Sequence, residues 1–329
     1  MQSFRISEAS QVAGARREAA ASARAMGFSE EDAGRAAIAV TELGTNILKH
    51  AGHGEILCGP SLTSARSCFE IVALDHGPGM DVEKCLADGF STAGSQGTGL
   101  GATRRQATTF DAWSVAGHGT AIHVRVCPGR TGYERRDKTN WAGVVRALQG
   151  EEISGDAVAV RETGEYFTAL VSDGLGHGAF AGDASALAVD VFYRTVSMEA
   201  DELVDAIHAA LRATRGAAIA IATCNISGRL TTFSGIGNIA GSLTSGHSIK
   251  KMTSMNGTAG LVARRVHAFQ YPYQTETLLI MHSDGLSGSW SLDKYPGLAQ
   301  REPMLIAAVL YRDYGKARDD ASVLVAELQ

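Results

Sequence analysis

The sequence predicts an α+β protein made of two layered domains, each a sandwich of helices against sheet. Three observations carry this expectation. The chain has 329 residues, more than one ordinary domain at roughly 100 to 200 residues each. Its first half reads helix, helix, strands, glycine-rich loop, helix, strands, an order that suits helices layered on a sheet. Its second half reads strands, helices, strands, which places two sheets between helical layers. The seam is expected at residues 128–140, PGRTGYERRDKTN, which is polar and has no apolar periodicity. That divides the chain into domains 1–127 and 141–329, joined by a linker at 128–140.

The elements follow in order. Ser29-Glu-Glu-Asp32 has the form of a capping box opening a helix, and Val40, Leu43 and Ile47 then recur at helical spacing. Two helices are expected before the first strand. Residues 55–59 and 69–74 read as strands, and 112–115 with 122–126 as a hairpin around Gly117-His-Gly119. In the second half, 144–148, 157–160 and 167–172 are expected strands, 179–193 and 203–213 helices, 219–226 with 230–233 a hairpin, and 277–281 and 322–326 late strands.

Composition narrows the function classes. Hydrophobic residues at 45% against 20% charged allow each half a core and exclude wholesale disorder. A net charge of -5 and the lack of any long basic block argue against a nucleic-acid partner. Cys58, Cys68, Cys85, Cys127 and Cys224 are widely spaced, odd in number and without a Cys-x-x-Cys pair, so neither a disulfide framework nor a structural zinc site is expected. The first ten residues have no apolar signal core, and the longest apolar run, 217–222, is far short of the roughly 20 residues of a bilayer span. A cytoplasmic protein with no membrane partner is expected. The 38 glycines against six prolines call for explanation, because glycine collects where backbone turns sharply or approaches a ligand.

In the first half, Glu42, Asn46 and Lys49 stand at i, i+4 and i+7 of the second helix, on one edge. Such an edge could hold a hard cation through the Asn46 amide, orient a hydroxyl or water through Glu42, and offset phosphate charge with Lys49. Taken alone, the pattern reads first as a solvated helix face with a Glu/Lys pair. Asp75-His-Gly-Pro-Gly79 ends a strand, where a carboxylate could accept from a purine amino group, although a β-turn around Pro78 has the same sequence. Residues 89–101, GFSTAGSQGTGLG, lead directly into a helix whose exposed N-terminal amides suit phosphates. Gly97-x-Gly99-x-x-Ala102 matches a dinucleotide fingerprint, but a polar loop precedes it where that fingerprint needs a strand.

Together and in this order, TELGTNILKHAG (41–52), DHGPGM (75–80), GFSTAGSQGTGLGA (89–102) and GHGT (117–120) resemble the GHKL (Bergerat) ATP-binding fold. The nearest likeness is to anti-sigma-factor serine kinases of the RsbT and SpoIIAB type, over nearly all of residues 1–127. The resemblance implies ATP with Mg2+ as ligands, Asn46 as metal ligand, Glu42 polarising the attacking hydroxyl, and Asp75 reading adenine. It implies a nucleotide cradle that includes Lys49, Gly77, Gly79, Gly97, Thr98, Gly99, Leu100, Gly101 and Thr120. Ala102 departs from the pattern, since a larger apolar residue is common there.

The second half repeats one grammar: Gly155-Asp156, Ser-Asp173-Gly174, Ser-Asp284-Gly285 and Arg-Asp319-Asp320-Ala-Ser. Each lies at a strand edge, so a fold that gathers those edges gathers carboxylates. Two carboxylates about 4 Å apart repel by roughly 4 kcal/mol at an effective dielectric of 20, so such a cluster binds cations or protonates. Aspartate oxygens without cysteine favour Mg or Mn over Zn. Any one Asp-Gly is also an ordinary turn. As a set, with VSDGLGHG (171–178), GIGN (235–238), HSDGL (282–286) and RDDASVLV (318–325), they resemble PPM-type phosphatases of the SpoIIE and RsbX group, from about residue 143 to the end. An α-β-β-α sandwich is implied, with two Mn2+ or Mg2+ ions held by Asp156, Asp173, the Gly174 carbonyl, Asp284 and Asp319, Asp320 remaining an alternative to Asp319. His177 is either a phosphate contact or proton donor, or a loop histidine packed on its neighbours. Residues 242–266 carry no interpretable motif.

The two resemblances imply a bacterial partner-switching regulator, an ATP-dependent serine/threonine kinase joined to a metal-dependent phosphoserine/phosphothreonine phosphatase. Substrates would be STAS-domain antagonist proteins, with a sigma factor or a downstream phosphatase or cyclase-type effector as further partners, and oligomers are compatible. The alternative is an ATP-binding module that sequesters a sigma factor or STAS protein, tethered to an active phosphatase.

Overall fold

The computed structural model describes residues 1–63, 68–86, 99–130, 139–263 and 266–329. They form two compact units, Met1–Thr139 with Ser291–Val309, and Asn140–Trp290 with Leu310–Gln329. The expected linker falls mostly on 131–138, outside the described residues.

The first unit runs β1 (Gln2–Ile6), α1 (Ala9–Ala25), α2 (Glu30–Asn46), β2 (Gly54–Pro60), β3 (Phe69–Asp75), α3 (Val82–Leu86), α4 (Gly99–Gln106), β4 (Thr109–Ser114) and β5 (Thr120–Val126). Its sheet is antiparallel in the order β1-β2-β3-β5-β4. A strand therefore precedes the two helices, contrary to the expectation. Ser29 caps α2 by accepting from the Asp32 amide at 3.1 Å. Period-two alternation gives the sheet two faces. Ile56, Cys58, Phe69, Ile71, Ala73, Ile122 and Val124 pack into one core with Val12, Ala15, Ala36, Val40 and Leu43 of the helices.

The other face carries Glu70, His123 and Arg125, all buried. Glu70 takes His123 Nε2 at 2.6 Å and Arg125 Nε at 2.7 Å. Burial alone would raise the Glu70 carboxyl, but Arg125 and then His123 outweigh it and hold it at about 2. Late residues complete this unit. The Trp113 indole N–H donates to the Pro296 carbonyl at 2.9 Å, and Asp111 accepts from the Glu302 amide at 2.9 Å.

Cys68 and Cys127 are disulfide-bonded, which corrects the expectation that no cysteines would pair. They are 59 residues apart in sequence, but β3 and β5 pair Phe69 with Val126 and so bring the two cysteines opposite each other, 4.3 Å between Cα atoms. Linear spacing does not contain that register. Cys58, Cys85 and Cys224 are free.

The second unit runs β6 (Trp141–Arg146), β7 (Asp156–Glu162), β8 (Tyr166–Gly174), α5 (Ala179–Arg194), α6 (Ala200–Ala210), β9 (Ala217–Asn225), β10 (Leu230–Ile236), β11 (Ala240–Ser245), β12 (Ser248–Met252), β13 (Gly257–Thr258), β14 (Val262–Ala263), β15 (Ala268–Pro272) and β16 (Thr277–His282). It closes with part of α7 (Pro303–Tyr314) and with β17 (Ala321–Leu328). Two antiparallel sheets result, β15-β10-β9-β8-β7 and β12-β11-β16-β17-β6. Val158, Val160, Ala169, Val171 and Phe233 meet Leu243, Leu279, Met281 and Leu324 in one core. On the outer side of the first sheet, Leu170, Ile219 and Ile221 pack with Ala184, Ala188, Leu203 and Ile207 of α5 and α6. The uninterpreted stretch 242–266 supplies most of the β11–β12 hairpin and the short β13–β14 pair.

Candidate functional sites

In the first unit, α2 ends at Asn46 and the chain continues as a π turn, Ile47–Ala51. Glu42 and Asn46 keep their one-turn spacing and are half-buried, whereas Lys49 is exposed on the π turn. The shared edge expected for all three therefore stops at Asn46, because the widened turn breaks the α-helical period. The start of α4 closes on this pair. A Cβ at Gly99 would stand 3.1 Å from Glu42 Oε2 and 3.8 Å from both terminal atoms of Asn46, so a side chain there would crowd Glu42 where the glycine backbone fits. Leu100 directs its side chain into the core, leaving only its backbone for a ligand, and Gly101 is buried. Gly97 and Thr98, with the rest of the loop from Gly89, lie outside the described residues.

Asp75 sits half-buried at the end of β3. Its Oδ1 accepts from the amides of Gly77 at 2.8 Å and Thr120 at 3.2 Å, which fixes the carboxylate between two turns. Gly79 and Gly119 both have positive φ, and side chains there would strike the Val115 and Asp75 carbonyls. Thr120 Oγ1 pairs with Ser114 Oγ at 3.0 Å, and Ser114 also accepts from the Met80 amide. The DHGPG and GHG turns are thus clasped to each other beside Asp75. The glycine-lined approach to Glu42 and Asn46, together with this anchored carboxylate, fits a flat base with a polyphosphate and a hard cation.

In the second unit, Asp156 opens β7 and Asp173 nearly closes β8, and the two stand directly opposite each other. Asp156 is buried. Its Oδ2 accepts from Ser283 Oγ at 2.5 Å, while Oδ1 is buried with no hydrogen-bond partner. Asp284 follows β16 and takes Asn238 Nδ2 at 2.7 Å. The final pair divides its work. Asp320, 3% exposed, accepts from the Leu148 amide at 2.7 Å and the Gly155 amide at 3.0 Å, bracketing the approach to β7. Asp319 is half-buried and contributes its charge to the mouth.

Burial, more than any other cause, pushes Asp156 and Asp173 well above the usual carboxylate range. Asp156, Asp284, Asp319 and Asp320 push Asp173 further. Asp319 is raised by burial first and by Asp284 second. Among the described residues no three acidic, histidine or cysteine side chains are already closed into a metal shell. The orphaned Asp156 oxygen and the all-aspartate donor set nevertheless fit a hard divalent cation, which would relieve both the desolvation and the repulsion. Gly174, at the end of β8, packs so tightly on Ala181 that a Cβ would overlap its carbonyl. His177 pairs through Nδ1 with Glu151 Oε1 at 2.7 Å on the exposed rim.

Sequence reasoning assigned no role to Asn238, Ser283 or Glu151. GIGN was visible as a motif, but which acid its asparagine holds depends on the meeting of β10, β11 and β16. Ser283 precedes Asp284 in HSDGL, yet it serves Asp156, 127 residues earlier.

Residues 6–126 match the family model of the histidine kinase-like ATPase domain. The serine/threonine-protein kinase RsbT of Bacillus subtilis (strain 168) is 39% identical over 103 residues, 31% of this chain and 77% of RsbT. The phosphoserine phosphatase RsbX of the same organism is 26% identical over 141 residues, 42% of this chain and 70% of RsbX. Among solved structures, one from work on the bacterial stressosome as a modular system adapted to control secondary messenger signalling aligns with a TM-score of 0.52 and 26% identity, covering 57% of this chain and 98% of that one. RsbX in complex with magnesium aligns with a TM-score of 0.50 and 22% identity, covering 60% and 98%, a likeness of fold. No helix among the described residues is long and apolar enough to cross a membrane.

Proposed function

Because this chain belongs to the histidine kinase-like ATPase family in its RsbT-like first half and joins to it a PPM-type phosphatase fold similar to RsbX, we propose that it is a two-headed partner-switching regulator. One head transfers phosphate from ATP to a serine or threonine hydroxyl, and the other hydrolyses phosphoserine or phosphothreonine. The observation that carries this reading is the presence in one chain of two sites of opposite design. One is the close approach of Gly99 to Glu42 and Asn46, and the other is the set of strand-end aspartates with a buried Asp156 oxygen that has no hydrogen-bond partner.

In the first head Asp75 would receive the adenine amino group, Gly77, Gly79, Gly97, Thr98, Gly99, Leu100, Gly101 and Thr120 would border the nucleotide, and Asn46 would hold Mg2+. Lys49 would offset phosphate charge from the end of the helix. Glu42 would orient the substrate hydroxyl and draw its proton as the oxygen attacks the γ-phosphorus and ADP leaves. In the second head Asp156, Asp173, the Gly174 carbonyl, Asp284 and Asp319 would hold two divalent ions, Mn2+ or Mg2+. When bound, such ions supply an activated water and charge for the phosphoryl oxygens. Asp320 would position Gly155 and thereby Asp156, and Asn238 would orient Asp284.

STAS-domain proteins are the substrates this reading favours, from the RsbT and stressosome likenesses. Both heads working on one residue at once would only consume ATP, so their substrates differ or their activities alternate. The test incubates the full chain with ATP, Mg2+ or Mn2+ and a STAS-domain protein, following protein-bound phosphate. Asn46→Ala is expected to abolish phosphorylation and spare dephosphorylation, and Asp173→Asn the reverse. Phosphorylation that survives Asn46→Ala overturns the kinase assignment. Nucleotide binding by the wild-type chain without transfer would make the first half a nucleotide-dependent binding module instead.

A further inference from the structure

The rim of the aspartate mouth carries a cation that the reading above does not use. β9 lies beside β8 with Ala218 opposite Asp173 and Ala217 opposite Gly174, and the Leu175 amide donates to the Gly216 carbonyl at 2.9 Å. Arg215, one residue earlier, therefore leaves the fold next to the turn that follows Asp173. Its Nη1 lies 3.3 Å from where a Cβ of Gly176 would stand, so the guanidinium packs against this glycine, whose positive φ belongs to the turn. The guanidinium carbon lies 4.8 Å from the ring centre of Phe180, in the first turn of α5.

Two features of this pair are unusual. Phe180 is 66% exposed, and Leu175 and Leu261, which both adjoin Gly216, are 51% and 54% exposed, apolar side chains left in water around Arg215. Leu261 reaches to 3.3 Å of a Cβ built on Gly216, which ties the rim to the Arg215–Gly216 corner. Among the described residues Arg215 has no ion-pair partner, and the aromatic ring is its neighbour instead. Stacking on a ring restricts the long arginine side chain while leaving its planar fork of N–H donors unspent. A preset guanidinium fork suits the oxygens of a phosphate monoester, and less ordering entropy is lost when they bind.

We propose that Arg215, braced on Phe180, is the phosphate-recognising and specificity-determining residue of the second head. It would bind the phosphoryl oxygens of a phosphoserine or phosphothreonine segment whose apolar neighbours lie on Leu175, Phe180 and Leu261. This rests on the phosphatase reading and adds to it a substrate-binding residue outside the aspartate set.

The test uses the full chain with Mn2+, a phosphoserine peptide carrying apolar flanking residues, its unphosphorylated form, and para-nitrophenyl phosphate. Turnover and peptide-binding anisotropy are both measured. A charge-assisted hydrogen bond contributes about 1.5–3 kcal/mol. Arg215→Ala is therefore expected to raise KM and the peptide dissociation constant about ten- to hundredfold, with kcat within about threefold. Arg215→Lys, which keeps the charge but not the fork, falls between. Phe180→Ala raises KM for the peptide more than for para-nitrophenyl phosphate, because both the brace and the apolar rim are lost. Melting temperatures of the three variants should match the wild type, and binding of the unphosphorylated peptide should be insensitive to Arg215→Ala. An active enzyme whose KM is unchanged by Arg215→Ala overturns the inference and leaves the phosphatase reading standing. A wild-type chain that binds the phosphopeptide through Arg215 but turns nothing over overturns the phosphatase reading instead. Loss of binding and of turnover in the wild type sinks both.

Discussion

Asp156 and Asp173 face each other across β7 and β8, and both hold protons more tightly than an exposed aspartate, chiefly because they are buried. This has a consequence for stability that runs against the usual behaviour of carboxylates. An unfolded aspartate releases its proton near pH 4, whereas these keep theirs to higher pH in the fold. Between about pH 4 and neutrality the folded chain thus binds more protons than the unfolded chain, and metal-free stability should fall as pH rises. Asp173→Asn is expected to abolish dephosphorylation yet raise the melting temperature in chelator at pH 8 by a few degrees, an opposition that calorimetry across pH 5 to 8 would reveal. A lower melting temperature for that variant would mean the carboxylate is stabilising in its own right. The aspartates themselves stood out in the sequence because each adjoins a glycine at a strand edge. The division between Asp319 and Asp320 did not, since adjacent identical residues differ only in which backbone amides reach them.

Among the elements, β3 and β5 show how pairing converts sequence-distant residues into one device. Glu70 stands opposite Arg125, with His123 two residues along on the same face, and the carboxylate is held at about 2 by these cations despite its burial. A depressed carboxylate contributes stability that is complete above its unfolded value near 4.3 and is lost as pH falls toward 2. Glu70→Gln removes one partner of a buried ion cluster and is expected to cost about 3–5 kcal/mol at pH 7. Urea unfolding at pH 7 and pH 3 would show the wild type losing stability over that interval and the variant losing much less. Strands and amphipathic helices were legible here because their periods are written in the chain. Several elements were not, β1 among them, and two show why. α7 is apolar on every side from Pro303 to Tyr311, with Leu305, Ile306, Ala307, Ala308 and Val309 fully buried, so that stretch has no helical stripe to read. The π turn after Asn46 has no sequence period of its own and shifted Lys49 off the expected edge.

At the scale of the whole molecule, the first unit draws on two parts of the chain, Met1–Thr139 and Ser291–Val309. A cut near the expected linker would therefore remove part of that unit. Trp113 is 1% exposed, with its indole bonded to Pro296, and is the only tryptophan in residues 1–139. A fragment of residues 1–139 is expected to show red-shifted, more readily quenched tryptophan emission and a lower melting temperature than the full chain. An emission maximum equal to that of a buried tryptophan would mean that the late segment is dispensable to this unit.

The amino-acid sequence by itself determined the α+β class and the glycine and aspartate motifs, because these depend on local period and on residue types placed within a few positions of one another, and those motifs carry the resemblance of the two halves to ATPase-like and phosphatase-like families. Only the tertiary structure decided the Cys68–Cys127 bond, the return of Ser291–Val309 to the first unit, the service of Ser283 to Asp156, and the stacking of Arg215 on Phe180. Each of those depends on strand register, chain crossing or the packing of distant elements. Such relations arise when apolar faces seek burial together, and no spacing along the chain records which faces will meet.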